Sequence, residues 1–256
     1  MIVFPNAKIN LGLRILNKRP DGFHNIETIL YPVDLKDVLE IIPAKDGVFS
    51  FASTGISIPG DPEENLCIKA FYLLSSIFHL PPVKMHLHKA IPIGAGLGGG
   101  SSDGAFAIKL LNDLFQLKMT DEQMMDHARR LGSDCAFFIR NKPGYAFQKG
   151  DQFEFLDLDL SGYRIEIITP EIHINTGDAY AIAGGHKGYG EPESSLIHFI
   201  RQPVKQWKDL LFNDFEKPLF RKYPELQQIK QDFYDRGALY ASLSGSGSSL
   251  YGLFHP

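Results

Sequence analysis

A chain of 256 residues suits one large or two modest domains, each able to bury its own core. Hydrophobic residues at 44% and charged residues at 22% are ordinary for a globular protein, and a net charge of -4 leaves no electrostatic footprint for nucleic acid or an anionic membrane. Two cysteines, Cys67 and Cys135, are too few for a disulfide scaffold, MIVFPNAKIN carries no basic-then-apolar leader, and no apolar run is long enough to span a bilayer, so a cytoplasmic chain is expected.

In chain order, residues 7–15 alternate: Ala7, Ile9, Leu11, Leu13 and Ile15 on one face, Lys8, Asn10, Gly12 and Arg14 on the other. That period predicts a half-buried strand. Arg19-Pro20-Asp21-Gly22 reads as a turn, and residues 38–51 as strand. Asp61-Pro62 opens a helical pattern with Leu66, Ala70, Leu74 and Ile77 on one stripe. Residues 83–88 alternate again as a strand. A glycine-rich stretch follows, then a helix marked by Ala105, Ile108, Leu111 and Phe115. Thr120 and Gln123 form a capping-box pattern ahead of a helix carrying Met124, Ala128 and Leu131. Residues 136–139 read as a short apolar strand. FEFLDLDL and YRIEIIT are strand-like, 183–195 reads as an exposed loop, and helices are expected over 204–212 and 224–235. LYASLSG and LYGLF read as two strands around a glycine-serine turn.

The stretch Pro92-Ile93-Gly94-Ala95-Gly96-Leu97-Gly98-Gly99-Gly100-Ser101-Ser102 puts five glycines into seven residues, between a strand and a helix. Backbone without Cβ atoms can turn successive N–H groups toward one point, and a helix N-terminus behind it favours phosphate. The known phosphate loops do not fit well. Gly94-x-Gly96-x-x-Gly99 matches the dinucleotide fingerprint, but no acidic residue ends a second strand about 20 residues on. No Gly-Lys-Ser/Thr follows as in a Walker A loop, and neither His-Arg-Asp nor Asp-Phe-Gly occurs. Gly245-Ser246-Gly247 leads into strand rather than helix, which argues against a hydrolase elbow. His86 and His88 share a strand face with no third metal ligand nearby, and Cys135 has no His–Asp arrangement to activate it.

PIGAGLGGGSSDGA resembles the second motif of the GHMP kinases, SLSGSGSSLYGLF their third and NAKINLGLRIL their first, in the right order across nearly the whole chain. Within that superfamily AKINLGLRILNKRPDGFHNIETIL, LGSDCAFFI and FNDFE resemble the diphosphocytidyl-methylerythritol kinases. Those enzymes phosphorylate the 2-hydroxyl of a cytidine diphosphate-linked methylerythritol on the non-mevalonate route to isoprenoids. The resemblance implies an α+β, two-domain GHMP kinase fold. A ribosomal-S5-like, ATP-binding domain is expected over 1–150 and a ferredoxin-like domain over 151–256. The family usually continues past the third motif, so the second domain is expected to be short of an element.

By the same resemblance, Lys8 and Asp134 are the catalytic pair, with Asp134 as proton acceptor and Lys8 as charge stabiliser. The glycine loop Pro92–Ser102 would cradle ATP phosphates, with Mg²⁺ bridging them and Ser101 or Ser102 near the metal. No acidic residue is marked as a metal ligand. His24 would read the cytosine edge, Tyr31 and Tyr180 would stack on the base, and Asn10 and Thr176 would contact the substrate. Taken alone, Lys8 also fits a solvated strand lysine and Asp134 a turn aspartate. Ser133 and Cys135 stand where the family has alanine and another small residue. A different GHMP kinase, of homoserine or mevalonate type, and a non-catalytic sensor on the same scaffold remain alternatives.

Overall fold

The computed structural model describes residues 1–183 and 195–256. In chain order the strands and helices are β1 (Ile2–Val3), β2 (Asn6–Lys18), β3 (His24–Lys36), β4 (Val38–Pro43), β5 (Ser50–Gly55), α1 (Leu66–Phe78), β6 (Val83–Lys89), α2 (Gly99–Leu114), α3 (Asp121–Leu131), α4 (Cys135–Arg140), β7 (Gly144–Phe147), β8 (Gln152–Phe155), β9 (Arg164–Ile168), α5 (Thr176–Ala183), α6 (Leu196–Ile200), α7 (Trp207–Leu210), α8 (Glu216–Lys222), α9 (Pro224–Asp235), β10 (Tyr240–Leu243) and β11 (Leu250–Phe254). The chain divides into two compact units. One holds Met1–Ala7, Asp34–Ile93 and Gly98–Lys142, and the other holds Lys8–Val33, Gly94–Leu97 and Pro143–Pro256.

The first unit is a sheet in the order β1-β4-β6-β5 with α2 packed across β4 and against α1, α3 and α4. The alternation of β6 explains its seat: Val83, Met85 and Leu87 are buried, while Lys84, His86 and His88 are not. The stretch expected as one strand over 38–51 is two, because the chain turns through Lys45–Gly47 and returns as β5 parallel to β6. Asp61 caps a 3-10 turn, and Asn65 then caps α1, its Oδ1 accepting from the Cys67 N–H at 2.9 Å. The stripe on α1 is Cys67, Ile68, Ala70, Phe71 and Leu74; Ile77 is exposed. The capping box at Thr120 and Gln123 is formed on both sides.

Residues 136–139 are not a strand. Cys135–Arg140 is helix α4, closed by Asn141 in the left-handed region with its N–H on Phe137 O at 2.9 Å. A four-residue apolar run carries no period, and here all of Cys135–Ile139 is buried beside α2 and α3.

The second unit contains the sheet β2-β3-β7-β8 and the sheet β10-β11-β9. Its β10–β11 hairpin pairs Tyr240 with Leu253 and Leu243 with Leu250. Under it lies a core that includes Leu13, Phe215, Leu219, Phe233, Leu243 and Leu250. Helix α9 covers 224–235 as expected, starting at a proline. The helix expected over 204–212 is a 3-10 turn at Val204–Gln206 followed by the four-residue α7. FEFLDLDL leaves the sheet after Phe155. Strands β3 and β7 and helices α5, α6 and α8 had no expectation attached. The loop expected over 183–195 lies, except for its end residues, outside the described residues.

Candidate active site

The first strand differs from its expected half-burial, because every residue of β2 from Asn6 to Leu13 is buried. Its polar face is closed by hydrogen bonds. Lys8 is 4% exposed, and its Nζ donates to Asn10 Oδ1 at 2.6 Å and to Gly96 O at 3.1 Å. Asn10 Nδ2 donates to Thr28 Oγ1 at 3.0 Å, and Thr28 Oγ1 donates to Gly12 O at 2.6 Å. The Tyr251 hydroxyl adds a bond to Asn10 O at 2.7 Å. A buried lysine is rare unless its ammonium is met by acceptors, and these bonds aim this one at the glycine loop.

Within the same unit the third motif presses on that loop. Gly96 has φ +77°, and a Cβ there would lie 2.0 Å from Ser244 O. Its carbonyl accepts from the Ser244 hydroxyl at 2.8 Å as well as from Lys8. Ser249 N donates to Ala95 O at 3.0 Å, and Lys8 N to Leu97 O at 2.9 Å, so Gly94–Leu97 is held along its length. Gly94 lies against the His173 ring.

The other half of the loop opens α2. Gly98 sits at the helix start in the left-handed region and provides no side-chain cap. A Cβ on Gly100 would meet nothing within 4 Å. A helix N-terminus with no capping side chain and open space beside it suits an anionic group. Ser102 is fully buried and its Oγ has no hydrogen-bond partner, and the Cys135 thiol is buried at the start of α4. Burial pushes that thiol up to about 12, so Cys135 is no nucleophile. Asp134 stands at the start of α4, in the same unit as Gly98–Ser102, and makes no capping bond to the helix. Pro92 and Ile93 are half-buried and lead from β6 into the loop.

Among the substrate candidates, the structure brings His24 and Tyr180 together. Their rings stack at 5.1 Å with 10° between planes, and Tyr180 meets Phe215 edge-on at 4.9 Å. Thr176 Oγ1 accepts from Ser246 Oγ at 3.3 Å, at the turn of the third motif. Tyr31 is engaged elsewhere: its hydroxyl accepts from Leu160 N at 3.1 Å.

Three linked sets of charged or polar residues near these elements had no role assigned to them from the sequence. In the first unit Lys89 Nζ is bonded to Asp37 and, at 2.8 Å, to Asp103 Oδ2, and Asp37 Oδ1 accepts from Ala90 N at 2.6 Å and Ile91 N at 2.8 Å. A Cβ on Gly99 would come within 2.8 Å of Lys89 Nζ, so the ammonium lies directly behind the first turn of α2. Burial, reinforced by the Asp37 charge and opposed by Lys89, raises Asp103 to about 7. Burial works against the Lys89 ammonium, but the two carboxylates more than offset it and raise its pKa. One signal was available: Lys89 continues the buried phase Val83, Met85, Leu87. In the second unit Asn213 and Glu216, from FNDFE, bind the β10 end of the third motif. Arg14, Glu27 and Tyr145 form a further linked set, with Arg14 Nη1 on Glu27 Oε1 at 2.7 Å and the Tyr145 hydroxyl on Oε2 at 2.8 Å.

Neither cysteine is in a disulfide, and no described helix is long and apolar enough to cross a membrane. Among the described residues, no group of three or more His, Cys, Asp or Glu is arranged to hold a metal ion.

Known proteins supply the comparison. The family models for the N-terminal domain and the C-terminal region of the GHMP kinases match residues 65–142 and 197–256. The 4-diphosphocytidyl-2-C-methyl-D-erythritol kinase of Bacteroides thetaiotaomicron is 52% identical, over 100% of this chain and 93% of its own length. The kinase of that name from Cytophaga hutchinsonii is 51% identical, with the same coverage. A crystal structure of 4-(cytidine 5'-diphospho)-2C-methyl-D-erythritol kinase superposes with a TM-score of 0.82 at 28% identity, over 99% of this chain and 90% of that one. With its three motifs on a two-domain GHMP kinase fold, the chain belongs to the 4-diphosphocytidyl-2-C-methyl-D-erythritol kinase family of the GHMP kinases.

Proposed function

We infer that this chain phosphorylates the 2-hydroxyl of 4-diphosphocytidyl-2-C-methyl-D-erythritol with ATP as phosphoryl donor, in the non-mevalonate route to isoprenoids. The observation that carries this reading is identity of about half, across the whole chain, to kinases of that name. Asp134 accepts the proton of the attacking hydroxyl. The hydroxyl oxygen then forms its bond to the γ-phosphorus while the bond to the β-phosphate oxygen breaks, releasing ADP. Lys8 stabilises charge on the attacking oxygen. Such transition states are loose, so placement and charge neutralisation carry most of the acceleration.

The loop Pro92–Ser102 cradles the triphosphate. Supporting this are the uncapped start of α2, the open space at Gly100 and the partnerless Ser102 hydroxyl. Mg²⁺, when bound with ATP, would supply charge neutralisation to the phosphates, and it would need few protein ligands. Ser102, whose buried hydroxyl has no hydrogen-bond partner, would be the residue to hold it. On the substrate side, the stacked His24 and Tyr180 offer an aromatic surface for the cytosine, with Asn10 and Thr176 as candidate contacts to the rest of the substrate. A panel of the cytidine diphosphate sugar alcohol, mevalonate and homoserine with labelled ATP tests the assignment. Label is expected in the first alone; label in another acceptor would reassign the chain within the GHMP kinases.

A further inference from the structure

The segment Phe212–Glu216 has no role in the phosphoryl transfer just described, yet its polar groups are spent almost entirely on two catalytic supports. Toward β2, Leu13 N donates to Phe212 O at 2.9 Å, Asp214 N to Leu13 O at 2.9 Å, and Ile15 N to Asp214 Oδ2 at 2.8 Å. Toward the third motif, Asn213 Nδ2 donates to Leu243 O at 2.9 Å and to Gly245 O at 2.8 Å, while its Oδ1 accepts from Phe215 N at 3.0 Å. Glu216 Oε1 accepts from Leu243 N and Ser242 Oγ, both at 3.0 Å, and Oε2 from Lys230 at 2.7 Å. Asn213 is 3% exposed.

The two supports meet at one atom. Ser244 lies between the residues whose carbonyls Asn213 grips, and its hydroxyl donates to Gly96 O, on which Lys8 also rests. A carboxamide is suited to this place because it carries two donors for two carbonyls and an acceptor for one N–H. A carboxylate of the same shape would set oxygen against two carbonyl oxygens. Each buried carbonyl left unmatched also carries a desolvation cost, so the turn would move to find new partners.

We propose that Asn213 is a positioning residue for phosphoryl transfer: it fixes the Leu243–Gly245 turn, and through Ser244 it sets the Gly96 carbonyl that places Lys8. The proposal rests on the assignment of Lys8 to the chemistry. It acts on placement rather than on ligand contact, so its loss falls on kcat, and a displacement near 1 Å can cost about 10²-fold.

The test compares Asn213→Ala, Asn213→Asp and Ser244→Ala with the parent enzyme in steady-state kinetics, varying each substrate, alongside melting curves. The reference is Tyr240→Phe, which removes a buried hydrogen bond to Leu211 O at 3.3 Å from the same hairpin without touching the turn. Expected is a fall in kcat of at least about tenfold for the three variants, with both KM values within about threefold, and parental kcat for Tyr240→Phe. Ser244→Ala removes one hydroxyl and keeps the test decisive if the Asn213 variants do not fold. Parental kcat in Ser244→Ala, or an equal kcat loss in Tyr240→Phe, overturns the proposal. A parent enzyme that does not phosphorylate the cytidine diphosphate substrate overturns the functional assignment instead.

Discussion

Replacing Gly96 with alanine probes the junction of loop, lysine and third motif. The added Cβ would stand 2.0 Å from Ser244 O, 3.0 Å from Ser244 C and 3.1 Å from Gly247 O. Both sides are backbone, so relief to a 3.0 Å contact requires them to part by 3.0 − 2.0, about 1 Å. That motion stretches the Ser244 Oγ to Gly96 O bond of 2.8 Å and the Lys8 Nζ bond of 3.1 Å beyond hydrogen-bonding range. Left-handed backbone at φ +77° adds about 1–2 kcal/mol for alanine. Two weakened hydrogen bonds add about 1 kcal/mol each. The sum, about 3–4 kcal/mol, lowers the melting temperature by roughly 6–16 °C at 2–4 °C per kcal/mol for a chain near this size. Because the displaced carbonyl supports Lys8, kcat falls about 10²-fold, equivalent to about 2.7 kcal/mol of barrier. Coupled detection of ADP and a thermal melt read both quantities. A Gly96→Ala enzyme with kcat within about threefold of the parent and an unchanged melt would refute the reasoning.

Other substitutions separate the parts of the site. Gly100→Ala meets open space, so its melt stays at or above the parental value while KM for ATP rises as the methyl enters the phosphate space. Asp134→Asn loses turnover and retains ATP binding, measured by calorimetry; unchanged turnover would remove Asp134 from the mechanism. Tyr180→Ala removes the stacking partner of His24 and raises KM for the cytidine substrate about 5- to 150-fold, the range for about 1–3 kcal/mol of stacking, with KM for ATP little changed. Asp103→Asn tests the buried triad through pH. The folded pKa of Asp103, about 7, lies above its ordinary value of 3.8, so the native state binds the proton more tightly and loses stability as pH rises from about 4 to 7. The asparagine variant escapes that loss, so its melting advantage over the parent should be larger at pH 8 than at pH 5. An advantage that shrinks with rising pH would contradict the raised pKa.

The features legible in the sequence are those with a local physical cause. Gly94, Gly96, Gly98, Gly99 and Gly100 announced a loop because only backbone demands explain so many residues without side chains. Thr120 and Gln123 announced a helix start because both halves of a capping box lie within one turn. Other elements are set by tertiary packing. The run Ala136–Ile139 is equally apolar as strand or helix, and contact with α2 and α3 decides for helix α4. Lys8 was marked only by the family resemblance; taken alone it fitted a solvated lysine as well, because nothing local shows that Gly96, 88 residues away, supplies its acceptor. The same holds for Lys89, whose partners Asp37 and Asp103 come from distant segments, and for Asn213, whose carbonyl partners lie 30 and 32 residues on. Buried polar networks are long-range by construction, so composition and period leave them silent.

The central claim is transfer of a phosphoryl group from ATP to the sugar alcohol, and phosphorus NMR tests it most directly. Incubation of the chain with magnesium, ATP and 4-diphosphocytidyl-2-C-methyl-D-erythritol should build a phosphomonoester resonance in step with ADP, leaving the substrate's diphosphate linkage intact. ATP loss that yields only inorganic phosphate, or no change at all, would contradict it.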